Sequence, residues 1–278
     1  MSRLFAEGES ALVIDRKGRR YLLSLSAEGR FHTHAGFVAH AAFIGRPEGT
    51  VARASAGAWY QAVRPTLSDF VLKMPRGAQV IYPKDLGQIL IQADVFAGAR
   101  VLEAGVGSGA LSMALLRAGA AVTGYEIRDD FAAHARANVQ RFLGVDALGR
   151  YQVSSRDVYD GIDETALDRV ILDLPEPWQV VKHAEAALAA GGILLAYVPS
   201  VMQVARLRET LAASRFSMAE TTEVLLRTWH VEGQAVRPDH RMVAHTGFLT
   251  SARLLGADGV TAEVADEVNE IVVAEIEP

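Results

Sequence analysis

The stretch VLEAGVGSGALS at residues 101–112 joins a short apolar run to three glycines and then to apolar residues at helical spacing. Glycines at such a turn let the backbone bend sharply and approach a ligand, and the start of the next helix offers free amides. Gly105, Gly107 and Gly109 are spaced GxGxG, whereas a dinucleotide fingerprint places its third glycine later, under a pyrophosphate. The pattern therefore favours a ligand that has a carboxylate and an amine near the turn and no pyrophosphate.

The alternation of strand and helix continues on the carboxyl side of this stretch and predicts a mostly parallel sheet with helices on both faces. Two final extended stretches have no helix between them, which predicts an antiparallel pair at one edge. The predicted strands are 99–107, 121–127, 151–157, 168–175 and 193–199, the helices are 108–119, 131–144, 180–192 and 201–214, and the final extended stretches are 222–233 and 245–255.

Acidic residues close the predicted strands that follow the glycine turn. Glu126 ends the second strand, where an acid can hydrogen-bond both hydroxyls of a ribose. Asp157 ends the third strand and could accept from an adenine amino group, or it could cap a turn. Ligands of open α/β sheets bind at this carboxyl edge. An adenosine that carries an amino acid would fill it, so we predict S-adenosylmethionine as the cofactor.

The stretch ILDLPEPW at residues 171–178 ends the fourth predicted strand in an acid. Pro175 and Pro177 fix φ and remove two backbone donors, which predicts a stiff loop after the strand. Asp173 is then placed to meet the substrate beside the methyl group of the cofactor. Trp178 could stack on a base, or it could belong to the core or its rim.

Composition and charge divide the 278 residues into three parts. Residues 1–76 alternate short apolar runs with turns and carry 11 Lys and Arg against 6 Asp and Glu, which predicts a small β-rich domain with a basic surface suited to phosphate. Residues 77–256 contain the predicted α/β domain. Residues 257–278 carry seven acids and no base, and we predict an amphipathic helix or a disordered tail.

Several classes of protein are excluded by what the sequence lacks. Without cysteine there are no disulfides, thiolate metal sites or cysteine nucleophiles. The N-terminus has no signal-peptide apolar core and no run of about 18 apolar residues appears, so we expect a cytoplasmic protein with no membrane partner. His32, His34 and His40 have no neighbouring carboxylate or cysteine, and no metal is expected.

Up to about residue 255 the chain resembles the bacterial and archaeal tRNA adenine-N1 methyltransferases of the TrmI type, which modify position 58 in the T-loop. The glycine motif occurs in many methyltransferases, whereas YPKD, DLPEPW and HTGFL in combination are much more specific. The resemblance is carried by DRKGRRYLLSL (15–25), FHTHAGFVAH (31–40), RPTLSDFVLKMPRGAQVIYPKD (64–85), VLEAGVGSGALS (101–112), YEIRDD (125–130), LDLPEPW (172–178), AYVPSVMQV (196–204) and AVRPDHRMVAHTGFL (235–249).

The resemblance implies a small N-terminal β domain and a class I, Rossmann-like methyltransferase domain, with a mostly parallel seven-stranded sheet and an antiparallel edge strand. It also implies a homotetramer, built as a dimer of dimers. Asp173 would be the catalytic carboxylate, and Tyr82 would shape the pocket of the target base. The expected cofactor contacts are Gln79, Glu103, Gly105, Val106, Gly107, Ser108, Gly109, Glu126, Asp157 and Asp173, and the expected substrate contacts are Trp178, Arg76 and His245.

The chemistry of adenine agrees with an aspartate in this position. The lone pair of N1 can attack the sulfonium methyl in line, so no base is needed to make the nucleophile. Positive charge then develops on the ring, and a carboxylate bound to the N6 amino group would stabilise it. The target base must leave the folded T-loop to react. The basic residues expected to hold the tRNA backbone are Arg16, Lys17, Arg19, Arg20, Arg64, Lys73 and Arg76.

Three alternatives remain open from the residues alone. One is an oxidoreductase that uses a nicotinamide cofactor, which the GxGxG spacing and the antiparallel ending disfavour. Another is an S-adenosylmethionine-dependent methyltransferase that acts on another RNA position, a protein or a small molecule, which the basic N-terminal part disfavours. The last is an RNA-binding protein without catalysis, which the complete set of acids at the strand ends disfavours.

Overall fold

The computed structural model describes residues 3–77 and 79–256 of the chain. An antiparallel β unit comes first, and an α/β unit follows it. The strands are β1 (Ser10–Asp15), β2 (Arg20–Ser24), β3 (Arg30–Thr33), β4 (Gly36–Ala39), β5 (Val51–Arg53), β6 (Trp59–Val63), β7 (Arg100–Ala104), β8 (Ala121–Glu126), β9 (Tyr151–Ser155), β10 (Leu167–Leu172), β11 (Leu188–Val198), β12 (Phe216–Glu223), β13 (Trp229–Glu232), β14 (Ala235–Pro238) and β15 (Phe248–Leu254). The α-helices are α1 (Leu67–Lys73), α2 (Pro83–Gln92), α3 (Ala110–Arg117), α4 (Asp129–Leu143), α5 (Val181–Ala187) and α6 (Val201–Ala212).

The N-terminal unit is a four-stranded antiparallel sheet in the order β2-β1-β6-β5, accompanied by the hairpin β3-β4. Strand β1 is central and almost entirely buried, because its run of apolar residues packs beneath Phe43 and Tyr60. Asp15 closes the β1–β2 turn by accepting the backbone N–H groups of Lys17 and Arg19. The predicted small β domain is therefore present, with its strands between residues 10 and 63.

The α/β unit contains a seven-stranded sheet in the order β12-β15-β11-β10-β7-β8-β9. Neighbouring strands from β11 to β9 are parallel, and β15 is antiparallel to both β11 and β12. The antiparallel pair β12-β15 occupies one edge of the sheet, with β15 one position in from the end. The predicted mostly parallel seven-stranded sheet is confirmed.

Two predicted elements have other bounds than their sequence patterns indicated. The edge strand predicted at 222–233 was misplaced: β12 begins at Phe216 and ends at Glu223, because the chain turns away at Val224, whose carbonyl accepts a hydrogen bond from Lys84 Nζ. Residues beyond it form the separate hairpin β13-β14. Helix α5 stops at Ala187 because Leu188 pairs with Leu167 and begins a strand.

Helices cover both faces of the sheet, as the alternation predicted. Side chains of α1 to α4 join the core on one face, and those of α5 and α6 join the core on the other. Helix α1 begins with a capping box between Thr66 and Asp69 and packs Phe70 into the α/β core. The domain boundary at residue 76 stays a prediction.

The predicted acidic tail, residues 257–278, lies outside the described residues. Within residues 3–77 and 79–256, no helix is long and apolar enough to cross a membrane.

Candidate functional site

The glycine loop follows β7 at the carboxyl edge of the sheet. Gly105 and Gly109 have φ values of +85° and +81°, which glycine adopts without strain. A Cβ on Gly105 would lie 2.1 Å from the carbonyl oxygen of Asp173, so the loop and the end of β10 touch backbone to backbone. Gly109 caps α3 and lies against Ala135 of α4. The contact at Gly105 excludes any side chain, and at Gly109 the left-handed φ and a Cβ only 3.1 Å from Ala135 both favour glycine.

The glycine loop has one open side and one buried hydroxyl without a partner among the described residues. At Gly107, with φ +54°, a Cβ would meet no atom within 4 Å, so this side of the loop is open. The hydroxyl of Ser108 is buried and has no partner among the described residues. Val106 is buried against Gly124 of β8 and fixes the loop from below. Open backbone and an unsatisfied hydroxyl are suited to a polar ligand that approaches closely.

Glu126 and Asp157 both make local hydrogen bonds at their strand ends. Glu126 Oε2 accepts the N–H of Gly107 at 2.9 Å, and its Oε1 accepts the N–H of Arg128 at 3.1 Å. Asp157 lies two residues beyond β9 and caps a 3-10 turn by accepting the N–H of Tyr159 at 2.9 Å. Carboxylate oxygens keep further lone pairs for a ligand, so both cofactor roles stay predictions.

Three carboxyl groups meet at this edge. Asp173 directly follows β10, and its N–H donates to the carbonyl of Ala104 at 2.9 Å. Burial, with a smaller contribution from the charge of Glu126, raises the pKa of Asp173 to about 7. Burial raises the pKa of Glu103 to about 8, against the hydrogen bond that Ser112 donates to its Oε2 at 2.6 Å. Below these pKa values burial keeps the two carboxyl groups largely neutral, and a cationic ligand beside them would favour their ionised form.

A cavity of about 450 Å³ opens beside Asp173. It brings together four residues that the sequence assigned to the site: Gln79, Tyr82, Asp173 and His245. The cavity is lined by Gln79, Val80, Ile81, Tyr82, Asp173, Tyr197, Pro199, His245 and Thr246. Its volume lies in the range of small-molecule pockets, which extends from about 300 to 1,000 Å³.

Known families match most of the chain. A family model described as "tRNA methyltransferase complex GCD14 subunit" matches residues 58–237, and one described as "TrmI-like N-terminal" matches residues 4–52. The tRNA (adenine(58)-N(1))-methyltransferase TrmI of Thermus thermophilus is 38% identical over 245 residues, which cover 87% of this chain and 95% of that protein. The chain belongs to the TrmI family.

Solved structures agree with TrmI membership. The tRNA (m1A58) methyltransferase TrmI from Aquifex aeolicus is 27% identical, with a TM-score of 0.78 over 92% of this chain and all of that one. A Thermotoga maritima protein described as an SAM-dependent O-methyltransferase is 30% identical, with a TM-score of 0.86 over 92% of this chain and 96% of that one. The predicted class I methyltransferase is confirmed, and the nicotinamide alternative is excluded.

Tyr197 and Thr246 are among the cavity residues of this TrmI chain that the sequence analysis missed. The hydroxyl of Tyr197 donates to the backbone carbonyl of Thr246 at 2.7 Å, which joins the end of β11 to the segment before β15. Gly247 makes room for this contact, because a Cβ there would lie 2.5 Å from the Tyr197 ring. Both residues belong to the quoted motifs AYVPS and HTGFL, but nothing in the motifs indicates that their side chains face Asp173.

His245 is held from both sides at the rim of the TrmI cavity. Its Nδ1 lies 2.7 Å from Oε1 of Glu223, and its Nε2 lies 2.8 Å from the carbonyl oxygen of Pro199. Both neighbours are acceptors, so only the protonated imidazolium satisfies the two contacts together. The hydrogen bond to Glu223 first, and that to Pro199 next, raise the pKa of His245.

Trp178 does not line the cavity beside Asp173. It lies in the 3-10 turn Pro177–Val180, packs against the core and is covered by the guanidinium of Arg206, 4.4 Å from the centroid of the ring. Together with residues of α6 it lines a second cavity. Trp178 therefore lies at the rim of the core, which is one of the two positions that the sequence allowed. Its stacking on a base stays a prediction.

Arg76 is exposed on the loop between α1 and Gln79. This loop is tied to the glycine loop, because the amide of Asn138 donates both to the carbonyl of Pro75 and to that of Ser108. Arg76 is thus near the edge of the site without lining the cavity. In the part of the chain that the structure describes, no group of three or more acidic or histidine side chains could hold a metal ion.

Proposed function

We propose that this TrmI-family chain transfers the methyl group of S-adenosylmethionine to N1 of adenine 58 in the T-loop of tRNA, which gives 1-methyladenosine. The observation that carries the proposal is the cavity that opens beside the carboxyl group of Asp173, next to the glycine loop. It occurs in a chain 38% identical to a tRNA (adenine(58)-N(1))-methyltransferase over almost all of that enzyme.

The residues of the carboxyl edge would hold the cofactor, which supplies a reactive methyl group on a cationic sulfur. The open side of the loop at Gly107 and the hydroxyl of Ser108, unpartnered among the described residues, suit its amino-acid end. Glu126 would accept from the ribose hydroxyls, and Asp157 from the adenine amino group. Gln79 lines the cavity beside Asp173.

Asp173 would act on the target base as an electrostatic partner. Adenine N1 uses its own lone pair, so the carboxylate is not needed as a base. When ionised it would accept a hydrogen bond from the N6 amino group, orient the ring and stabilise the charge that grows on it. Tyr82 and Tyr197 line the same cavity, and their rings would stack on a base extruded from the T-loop.

The structure separates the basic residues of the N-terminal part into paired and free ones. Arg19, Arg20 and Arg64 form salt bridges with neighbouring acids. The predicted tRNA contacts that are exposed and form no salt bridge within the described residues are Arg16, Lys17, Lys73 and Arg76. We propose these four as phosphate contacts, because a side chain that forms no salt bridge can bind a phosphate without first breaking one.

We also propose that the chain assembles as a homotetramer, built as a dimer of dimers. We propose that it acts in the cytoplasm, where its tRNA substrate is found. The support for the tetramer is the run of exposed apolar side chains on and beside the β13-β14 hairpin, since contiguous apolar surface marks an association site. These residues are Leu225, Leu226, Trp229, Val231, Val236, Met242 and Val243. Light scattering on the purified chain tests this, and a monomer at micromolar concentration would contradict it.

The function is tested by transfer of labelled methyl from S-adenosylmethionine to an unmodified tRNA transcript and to the same transcript with A58 changed to G. We expect label only in the first, recovered after digestion as 1-methyladenosine. Equal labelling of both transcripts would move the target to another position. Label recovered as a 2′-O-methyl nucleoside would instead favour the O-methyl chemistry named for the Thermotoga maritima protein.

A further inference from the structure

A buried ion pair lies directly behind the cavity. The side chains of Lys84 and Asp85 are 2% and 0% exposed, and Lys84 Nζ lies 2.7 Å from Asp85 Oδ1. The ammonium also donates to the carbonyl of Val224 and to Oγ1 of Thr246, both at 2.6 Å. The hydroxyl of Thr246 in turn donates to Asp85 Oδ2 at 2.6 Å. All three ammonium hydrogens and both carboxylate oxygens are therefore satisfied.

Such a network has a structural cost that apolar residues would avoid. Two charges removed from water gain little net stability, and a well-packed apolar pair is often as stable or more so. A fully satisfied network of hydrogen bonds does, however, admit one geometry and disfavours others, because any shift leaves a buried charge without a partner. What it fixes is the relative position of the segments that it joins.

Two of those segments line the cavity, one at Tyr82 and the other at Thr246. Lys84 lies in the first turn of α2, two residues after Tyr82, whose backbone begins that helix. Val224 marks the end of β12, and Thr246 precedes β15. The carbonyl of Thr246 accepts a hydrogen bond from the hydroxyl of Tyr197, and its side chain accepts one from Lys84. Since Lys84 follows Tyr82 by two residues, Thr246 links the two tyrosines of the cavity.

We infer that Lys84 and Thr246 are positioning residues for the methyl acceptor: their bond holds the Tyr82 wall and the Tyr197 wall at the separation that seats the target base against Asp173. Neither side chain acts on the base itself. The inference rests on the proposed function, since it assumes that an extruded base occupies this cavity.

Thr246→Val and Thr246→Ser form a matched pair that tests this. Valine keeps the shape and removes the hydroxyl, whereas serine keeps the hydroxyl. We expect Thr246→Val to lower kcat/KM for tRNA by roughly 10- to 100-fold, as the loss of a bond to a charged group implies, with the Kd of S-adenosylmethionine within twofold by calorimetry. Thr246→Ser should recover most of the wild-type value. Equal loss in both variants, or loss of cofactor affinity in parallel with activity, would overturn the inference.

A second variant separates positioning from stability. Lys84→Met combined with Asp85→Leu replaces the buried pair by apolar side chains of similar volume, which should leave Tm within a few degrees of wild type. We expect cofactor binding to persist while kcat/KM for tRNA falls as in Thr246→Val. Wild-type kcat/KM in this folded double variant would overturn the inference.

Hydrogen exchange gives a readout that does not depend on the substrate. In Thr246→Val, without tRNA, the amides of residues 79–82 and 244–248 should exchange faster than in wild type, whereas those of β7 should not change. Unchanged exchange in both segments would overturn the inference even if methylation is confirmed. Failure of the wild-type enzyme to methylate A58 would instead refute the proposed function, and the two outcomes are thus distinguishable.

Discussion

Replacement of Asp173 by asparagine keeps the size of the side chain and removes its charge. If the carboxylate stabilises the positive charge that develops on adenine, kcat for methyl transfer should fall by about 10²- to 10³-fold, which corresponds to roughly 3 to 4 kcal/mol for one well-placed electrostatic partner. The Kd of S-adenosylmethionine should change only a few-fold, because the glycine loop and Glu126 remain in place.

The pH dependence follows from the same group. Burial and the neighbouring Glu126 raise the pKa of Asp173 to about 7, and the ionised form is the one that stabilises the transition state. In the wild type, kcat/KM should therefore rise about tenfold per pH unit below this pKa and level off above it. The side chain in Asp173→Asn does not titrate, so the low kcat/KM of this variant should not rise with pH in the same range.

Methyl transfer to tRNA between pH 5.5 and 9, with calorimetry for the cofactor, measures both effects. Asp146→Asn serves as a control for the chemical change, because Asp146 is an exposed acid in the segment that joins α4 to β9. Two results would refute the reasoning. One is an acid limb near pH 7 that persists in Asp173→Asn, and the other is loss of cofactor binding that accounts for the whole loss of activity.

Three further predictions concern the supports of the site. Gly105→Ala should abolish cofactor binding by calorimetry, since its Cβ would lie 2.1 Å from the carbonyl oxygen of Asp173, whereas Gly149→Ala, whose Cβ would meet no atom within 4 Å, should leave the Kd unchanged; equal defects would contradict this. Ser112→Ala removes the 2.6 Å bond to Glu103 and should lower the free energy of unfolding in urea by about 1 to 3 kcal/mol, and an unchanged value would count against that bond. The folded pKa of His245 lies above its ordinary value, so its stabilising contribution is complete below the unfolded pKa and lost as pH rises through the folded one. The difference in the free energy of unfolding between wild type and Glu223→Gln should therefore decrease from pH 6 to pH 9. A constant difference would show that the charge of His245 does not contribute to stability through Glu223.

The local sequence determined the parts of this protein that depend on near neighbours. The GxGxG turn after an apolar run, the alternation of strand and helix, and the acid at the end of β10 predict the sheet and its carboxyl edge, because periodicity and turn chemistry act over a few residues. The motifs also pointed to Gln79, Tyr82, Asp173 and His245, which the fold brings to one cavity.

Only the tertiary structure decided which side chains face that cavity and what holds them there. Lysine side chains are mostly exposed in proteins, whereas that of Lys84 is buried and bonded to Thr246, 162 residues away. The sequence likewise allowed Trp178 either to contact a base or to lie at the rim of the core. In the structure the guanidinium of Arg206 covers its ring. A pattern of neighbours carries no information on pairings over such separations, since burial and charge satisfaction are properties of the assembled chain.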